Sequence, residues 1–173
     1  MQNIELKVQL ANHRAIRDHL KRAKARRVRT IDQVDTYFRV RSGKLKLRAI
    51  DKKRAELIRY ERPRLRDSKV SQYTVVPLSM KQATQLFTIL EGLYAPLVVV
   101  VKKRERWMIK KTRIHLDVVH GLGTYLELET VVGERSLARA HDEHKQVIDL
   151  LDLDGGVRVA VSYSDLLLSK KKK

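Results

Sequence analysis

The chain has 173 residues, no cysteine, and 38 Lys and Arg against 20 Asp and Glu, which gives a formal net charge of +18. The lack of cysteine excludes disulfides, thiolate metal sites and a cysteine nucleophile. The longest apolar run, Leu97 to Val101, is too short to span a bilayer, so we expect a cytoplasmic protein that does not enter the membrane. The positive charge predicts an anionic partner: nucleic acid, a phosphate-rich small molecule or a lipid surface.

The first half of the chain predicts strands around one helix. Alternation of apolar and charged residues, which is typical of strands, occurs at 3–10, 34–41, 44–50, 56–62 and 71–76. Asn12 is a candidate N-cap for a helix that reaches about residue 25 and has a strongly basic exposed face. Ser42-Gly43 predicts the turn of a hairpin between the second and third of these strands.

The second half predicts two helices and further strands. Ser79 and Gln82 form a capping box for a helix that ends at Gly92, and a third helix is expected over 134–151. Strands are predicted at about 97–105, 106–111, 112–119 and 124–132. The result is an α+β domain over residues 1–168, with eight or nine mostly antiparallel strands, three helices and a basic lysine tail at 169–173.

Charged residues recur two apart along the predicted strands, so that each set projects from one face. The pattern occurs at Glu5/Lys7, Lys46/Arg48, Lys102/Arg104, Arg113/His115/Asp117 and Glu127/Glu129. For any single strand, a solvated outer face is the simpler interpretation. Because the pattern recurs on many strands, it favours a closed barrel that is packed by helices outside and has a charged lumen. The carboxylates would suit Mg²⁺ or Mn²⁺, and the basic side chains would bind phosphates.

An ordered set of motifs covers nearly the whole chain. It comprises Asn3-Ile4-Glu5-Leu6-Lys7, Gln33 to Phe38, Gly43 to Arg48, Glu56 to Pro63, Val101 to Arg104, Thr112 to Asp117, Gly121 to Glu129 and Ser162 to Leu167. With these motifs the chain resembles the CYTH superfamily, the triphosphate tunnel metalloenzymes, and within it the class IV adenylyl cyclase-like branch. The resemblance implies an antiparallel, eight-stranded closed β-barrel with flanking helices, whose lumen binds a triphosphate and a divalent cation.

The resemblance also assigns site residues, although it names no catalytic base. The metal, Mg²⁺ or Mn²⁺, would be held by Glu5, Asp117, Glu127 and Glu129. The phosphates would be bound by Lys7, Lys46, Arg48, Arg62, Lys102, Arg104 and Arg113. The family signature Glu-x-Glu-x-Lys has its first glutamate replaced here by Asn3, whose amide oxygen can coordinate a metal but cannot act as a base.

Three functional hypotheses follow, and the first two share a small-molecule triphosphate as substrate. In an adenylate cyclase, which the resemblance favours, the ribose 3′-hydroxyl of ATP attacks the α-phosphorus and pyrophosphate leaves. In a triphosphatase, water attacks the terminal phosphorus of thiamine triphosphate, tripolyphosphate or a nucleotide. The third hypothesis is a nucleic-acid-binding module, which the charge, a basic helix over 14–27 and the lysine tail support. Weak nonspecific binding of polyanions is expected in each case, and a homodimer is left open.

Overall fold

The computed structural model describes residues 2–61 and 69–171. Over these residues the chain forms nine strands and four helices. The strands are β1 (Gln2–Leu10), β2 (Arg26–Phe38), β3 (Lys44–Ile50), β4 (Arg54–Glu61), β5 (Lys69–Leu78), β6 (Pro96–Ile109), β7 (Thr112–Val119), β8 (Gly123–Val131) and β9 (Val157–Arg158). The helices are α1 (Arg14–Arg22), α2 (Met80–Leu93), α3 (Leu137–Leu150) and α4 (Tyr163–Lys171).

The strands form one antiparallel sheet in the order β5-β4-β3-β2-β6-β7-β8-β1-β9. β1 pairs with β8 along residues 3–10, and it also pairs with β5 at residues 2–5 and with β9 at residues 8–9. The predicted α+β class is therefore confirmed, but the sheet has nine strands rather than eight. The additional strand, β9, is two residues long, too short to give a recognisable alternation in the sequence.

The alternation along β2 shows which way the polar residues face. Gln33 and Asp35 are buried, whereas Val34 between them is exposed, which is the reverse of the usual arrangement on a half-solvated sheet. The polar face of the sheet therefore points inward. This inward orientation places the period-two charges around an interior space.

The apolar outer face of the sheet is covered by helices over much of its surface. Ile16 and Leu20 of α1 and Val147 of α3 pack in one cluster with outward residues of β1, β7 and β8, such as Leu126. α2 packs in a separate cluster against β3 and β4. Its predicted capping box is present, because Ser79 and Gln82 each accept a hydrogen bond from the other's backbone N–H.

Three predictions of local structure are corrected. α1 ends at Arg22 rather than near residue 25, and Lys24 at φ 51 turns the chain directly into β2, so Arg26 and Arg27 lie on a strand and not on a basic helix. Residues 96–109 form one long strand, because β2 pairs with them almost throughout their length. α4 was not predicted. Within the described part of the chain, no helix is long and apolar enough to cross a membrane.

Candidate active site

The inward faces of eight strands line one cavity of about 370 Å³. Of the residues that the sequence assigned to metal or phosphate, nine line it: Glu5, Lys7, Lys46, Arg48, Lys102, Arg104, Arg113, Glu127 and Glu129. The cavity is thus where residues far apart in the sequence meet. Arg62 lies outside the described residues.

On one wall of the cavity, Lys46 and Arg48 share the buried carboxylate of Asp35. The pairing of β2 with β3 sets Asp35 directly opposite Arg48, whose Nε and Nη2 donate to Oδ1 and Oδ2 at 2.8 and 3.1 Å. Lys46 Nζ lies 2.9 Å from Oδ2. Burial opposes ionisation of Asp35, but Arg48 and Lys46 hold its pKa well below the ordinary value. One carboxylate thus anchors two cations whose remaining donors border the cavity.

Lys46 and Arg48, which share Asp35, differ in the direction of their pKa shifts. Burial, followed by repulsion from Arg48, lowers the pKa of Lys46 to about 7, although Asp35 acts in the opposite direction. The pKa of Arg48 is raised instead, because Asp35 outweighs the effect of burial. Lys46 is therefore the cation of this wall that titrates near neutral pH.

The neighbouring wall repeats this arrangement around Asp117. The pairing of β6 with β7 sets Asp117 opposite Arg104, whose Nε and Nη2 donate to its carboxylate at 2.7 and 2.6 Å. Lys102 Nζ lies 3.4 Å from the same carboxylate, and the hydroxyl of Tyr163 donates to it at 3.0 Å. Asp117 is fully buried beneath these groups and does not line the cavity.

Next to these cations, Glu127 and Glu129 of β8 lie beside His115 of β7. One ligand atom from each of the three lies within 4.8 Å of the others, a spacing that fits a single metal ion. Burial opposes ionisation of Glu127, but Lys7 and Arg104 hold its pKa well below the ordinary value. Glu127 contacts Arg104 closely and lies 3.2 Å from Lys7 Nζ. Both glutamates are therefore ionised at neutral pH, since the pKa of Glu129 is also strongly lowered.

The donor types on this side of the cavity fit Mg²⁺ or Mn²⁺. Across the β1–β8 pair, Glu5 lies directly opposite Glu129, so both carboxylates line the same side of the cavity. Carboxylate oxygens are the ligands that these hard cations prefer, and His115 could add an imidazole nitrogen. Nδ1 of His115 is buried, lies 3.4 Å from Glu129 Oε1 and has no hydrogen-bond partner among the described residues.

One end of the cavity is closed by the start of α4. Lys44 Nζ donates to Ser162 Oγ, Ser164 Oγ and Asp165 Oδ1 at 2.6, 3.1 and 2.6 Å, which ties the helix to β3. Tyr163 is buried at this end, and Lys7 Nζ lies 4.2 Å from the centre of its ring. We call the opposite end of the cavity, where Arg106 and Arg113 lie, the entrance.

The sequence assignments missed several residues around the cavity. Asp35 was not assigned, although it lies two positions after Gln33 and so shares its face, a pattern already used for other strands. His115 was recognised only as part of a charged strand. Tyr163 lies in the motif Ser162 to Leu167, but no role was assigned to it, and Arg106 was not distinctive among many arginines.

Comparison with known proteins shows the family. The sequence profile of the CYTH domain matches residues 1–151, so the chain belongs to the CYTH family, and the resemblance expected from the sequence is confirmed at that level. A comparison with curated proteins gives no significant match.

Three solved structures illustrate the similarity of fold. The PH1012 protein of Pyrococcus horikoshii OT3 is 21% identical, with a TM-score of 0.79 over 95% of this chain and 98% of that one. A candidate adenylate cyclase from Vibrio parahaemolyticus is 19% identical, with a TM-score of 0.75 over 96% and 97%. A candidate adenylyl cyclase from Hippeastrum, HpAC1, with a dominant triphosphatase activity, is 12% identical, with a TM-score of 0.70 over 98% and 95%. At these identities the likeness shows the triphosphate tunnel fold alone.

Proposed function

We propose that this protein is a metal-dependent triphosphatase whose substrate lies in the cavity that the cationic walls and the two glutamates line together. The observation that carries the proposal is the meeting of both kinds of group in one cavity, which is lined by Lys46, Arg48, Lys102 and Arg104 together with Glu127 and Glu129. The cations match the charge of a triphosphate, and the carboxylates match a divalent cation that would accompany it. The pairing of β1 with β5 supports a closed, eight-stranded tunnel around this space.

The two buried aspartates would act by positioning the cations. Asp35 and Asp117 each occupy one side of an arginine fork and hold it in a fixed orientation. Donors that are already oriented stabilise the charge of a transferring phosphoryl group without reorganisation at the moment of reaction. We therefore assign to Asp117 this positioning role, in place of the direct metal contact expected from the sequence.

Glu127, Glu129 and Glu5 would hold the Mg²⁺ or Mn²⁺, and Asn3 lines the cavity near them. When bound, the cation would neutralise phosphate charge and lower the pKa of a coordinated water. The carboxylates of Glu127 and Glu129 are ionised at neutral pH and need lose no proton to bind it.

Hydrolysis requires a proton acceptor for the attacking water. Burial, followed by repulsion from Arg104, lowers the pKa of His115, so its imidazole is neutral at pH 7. A neutral imidazole beside Glu129 can accept the proton while the water oxygen bonds to the terminal phosphorus and the bridging P–O bond breaks. His115 is the group that we assign to this step.

An adenylate cyclase is the second candidate, supported by the motifs shared with the class IV branch and by the fold of the Vibrio protein. Cyclisation of ATP would use the same phosphate-binding and metal-binding residues but would also require a binding site for the nucleoside. The entrance is bordered instead by arginines, such as Arg106 and Arg113, which suit further negative charge. This difference is why hydrolysis is preferred.

Product analysis separates the two activities. Purified protein would be incubated with ATP, tripolyphosphate or thiamine triphosphate, each with Mg²⁺ or Mn²⁺, and the products separated by chromatography. Release of orthophosphate supports the triphosphatase, whereas cyclic AMP with pyrophosphate supports the cyclase. No turnover with any of the three, in protein that is folded and loaded with metal, would contradict both.

A further inference from the structure

Like charges face each other at the entrance of the cavity. The pairing of β2 with β6 sets Arg29 directly opposite Arg106, so both side chains lie on the inward face of the sheet. Directly opposed residues in such a pair have Cβ atoms about 5 Å apart, and like charges at this distance are destabilising. Arg113 on the neighbouring strand also borders the cavity.

The local acids offset this charge only in part. Arg113 lies 3.6 Å from Glu129 and Arg29 lies 3.9 Å from Asp51, both at the long end of ion-pair distances. Within the described residues, Arg106 has no ion pair. Burial, followed by repulsion from Arg113, Arg104 and Arg29, lowers its pKa. The three arginines Arg29, Arg106 and Arg113, here called the entrance arginines, thus hold excess positive charge.

A bulge in β2 contributes to this arrangement. The register between β2 and β6 shifts between Arg27 and Arg29. Arg27 turns to the outer side, where its Nε donates to Glu105 at 3.2 Å, while Arg29 stays opposite Arg106. Bulges commonly re-aim side chains next to binding sites. Here the bulge places Arg27 on the outer face, where it pairs with Glu105, and Arg29 on the inner face, where it lies opposite Arg106.

We propose that the entrance arginines form a second anion subsite, which binds phosphates beyond the three held deeper in the cavity, so that the substrate is a linear inorganic polyphosphate longer than tripolyphosphate. The inference rests on the proposed function, because the deeper phosphates must first occupy Lys46, Arg48, Lys102 and Arg104. Arg104 and Arg106 lie on the same face of β6, one pleat apart. A phosphate chain leaving the deep site along β6 meets Arg106 next, and Arg29 and Arg113 lie on either side of it.

The test compares binding of tripolyphosphate with binding of a linear hexaphosphate by calorimetric titration of chelator-treated protein without divalent cation, so that the proposed hydrolysis does not occur. The quantity measured is the ratio of the two affinities for the wild type, Arg106→Gln, Arg29→Gln and Lys103→Gln. Lys103 is the matched control, because it removes one charge from the exposed outer face of the same strand. We expect the wild type to bind hexaphosphate at least about tenfold more tightly, and Arg106→Gln or Arg29→Gln to lower this ratio at least about fivefold. Lys103→Gln should leave the ratio unchanged.

Thermal unfolding of the same variants checks the folded state. Removing one arginine from an opposed pair relieves repulsion, so neither Arg106→Gln nor Arg29→Gln should lower the melting temperature. A purely structural role for these arginines predicts a lower melting temperature in both variants, together with an unchanged ratio.

The outcomes separate this inference from the proposed function. If the wild type binds tripolyphosphate but the ratio is the same in all variants, the second subsite is wrong and the proposed function stands. If the wild type does not bind tripolyphosphate, both fail. A 5′-triphosphorylated RNA oligonucleotide is titrated in parallel. If Arg106→Gln weakens RNA binding and leaves the hexaphosphate ratio intact, the subsite serves nucleic acid and the polyphosphate assignment is overturned.

Discussion

Two carboxylates that each pair with two cations lie on opposite faces of the sheet and differ in how far their partners are buried. Asp117 faces inward, is fully buried and holds Lys102 and Arg104, which are buried with it. Glu105 faces outward and holds Arg17 and Arg27, whose side chains are 43% and 57% exposed. In the first case water cannot replace a lost partner, whereas in the second it can. Burial therefore determines how much an ion pair of this kind contributes to the stability of the fold.

The largest expected effect in this comparison is on stability. Asp117→Asn would remove the carboxylate that Lys102 and Arg104 share and leave Arg104 only its contact with the glutamates of β8, which we expect to cost about 3–5 kcal/mol of unfolding free energy. Glu105→Gln, which also loses a charge shared by two cations, should cost about 1 kcal/mol. Urea denaturation of both variants measures the difference. Equal losses would show that burial does not distinguish the two sides of the sheet.

The next effect is on catalysis. Glu129→Gln keeps the shape of the side chain but removes a charge from the group that would hold the metal, so we expect turnover of tripolyphosphate to fall at least about tenfold. The control is Glu134→Gln, which removes an exposed carboxylate. Orthophosphate release at several Mg²⁺ concentrations is the measurement. Undiminished turnover in Glu129→Gln, or in wild-type protein treated with a chelator, would contradict metal dependence at this site.

Phosphate binding should also distinguish inward from outward cations. Arg48→Ala should weaken binding of tripolyphosphate by about 1–3 kcal/mol, because its bonds form where water is scarce. Reversal of Arg14, Lys21 and Arg22, all exposed on α1, should change it little, since such charges are screened within about 10 Å at moderate salt. Titration calorimetry compares the two variants. Similar losses would mean that the protein attracts polyanions by bulk charge, as a nucleic-acid-binding module would.

The smallest expected effect concerns pH. The pKa of Lys46 is lowered to about 7 in the folded protein, whereas the unfolded chain keeps that proton to about pH 10.5. The free energy of unfolding linked to Lys46 therefore rises with pH between these two values. A bound triphosphate favours the charged form of Lys46, so its amine takes up a proton when the ligand binds. Tripolyphosphate binding should weaken about fivefold from pH 7 to pH 8 and take up a proton. Calorimetry in two buffers of different ionisation enthalpy measures the uptake. Lys46→Arg should abolish it, and persistence there would assign the proton to another group.

Local sequence patterns were sufficient for much of this description. The capping box at Ser79 and Gln82 and the turn near Gly43 are determined by a few adjacent residues, and both are present. Gly43 has φ 68, and a Cβ there would lie 2.9 Å from the carbonyl oxygen of Tyr60, so glycine suits the turn. The family was also recognisable, since its motifs are local. The substrate, the Mg²⁺ or Mn²⁺ cofactor and a homodimer stay predictions.

Other properties depended on pairing between distant strands. Asp117 and Glu129 follow the same period-two rule, and the sequence assigned both to the metal. The pairing of β6 with β7 sets Asp117 opposite Arg104 beneath the cavity, whereas that of β1 with β8 sets Glu129 opposite Glu5. A period of two determines which face of a strand a side chain occupies, but the register determines its partner. The sequence alone thus specified an inward set of charges, and only the tertiary structure decided which carboxylate lies buried beneath a cation pair and which carboxylates line the cavity.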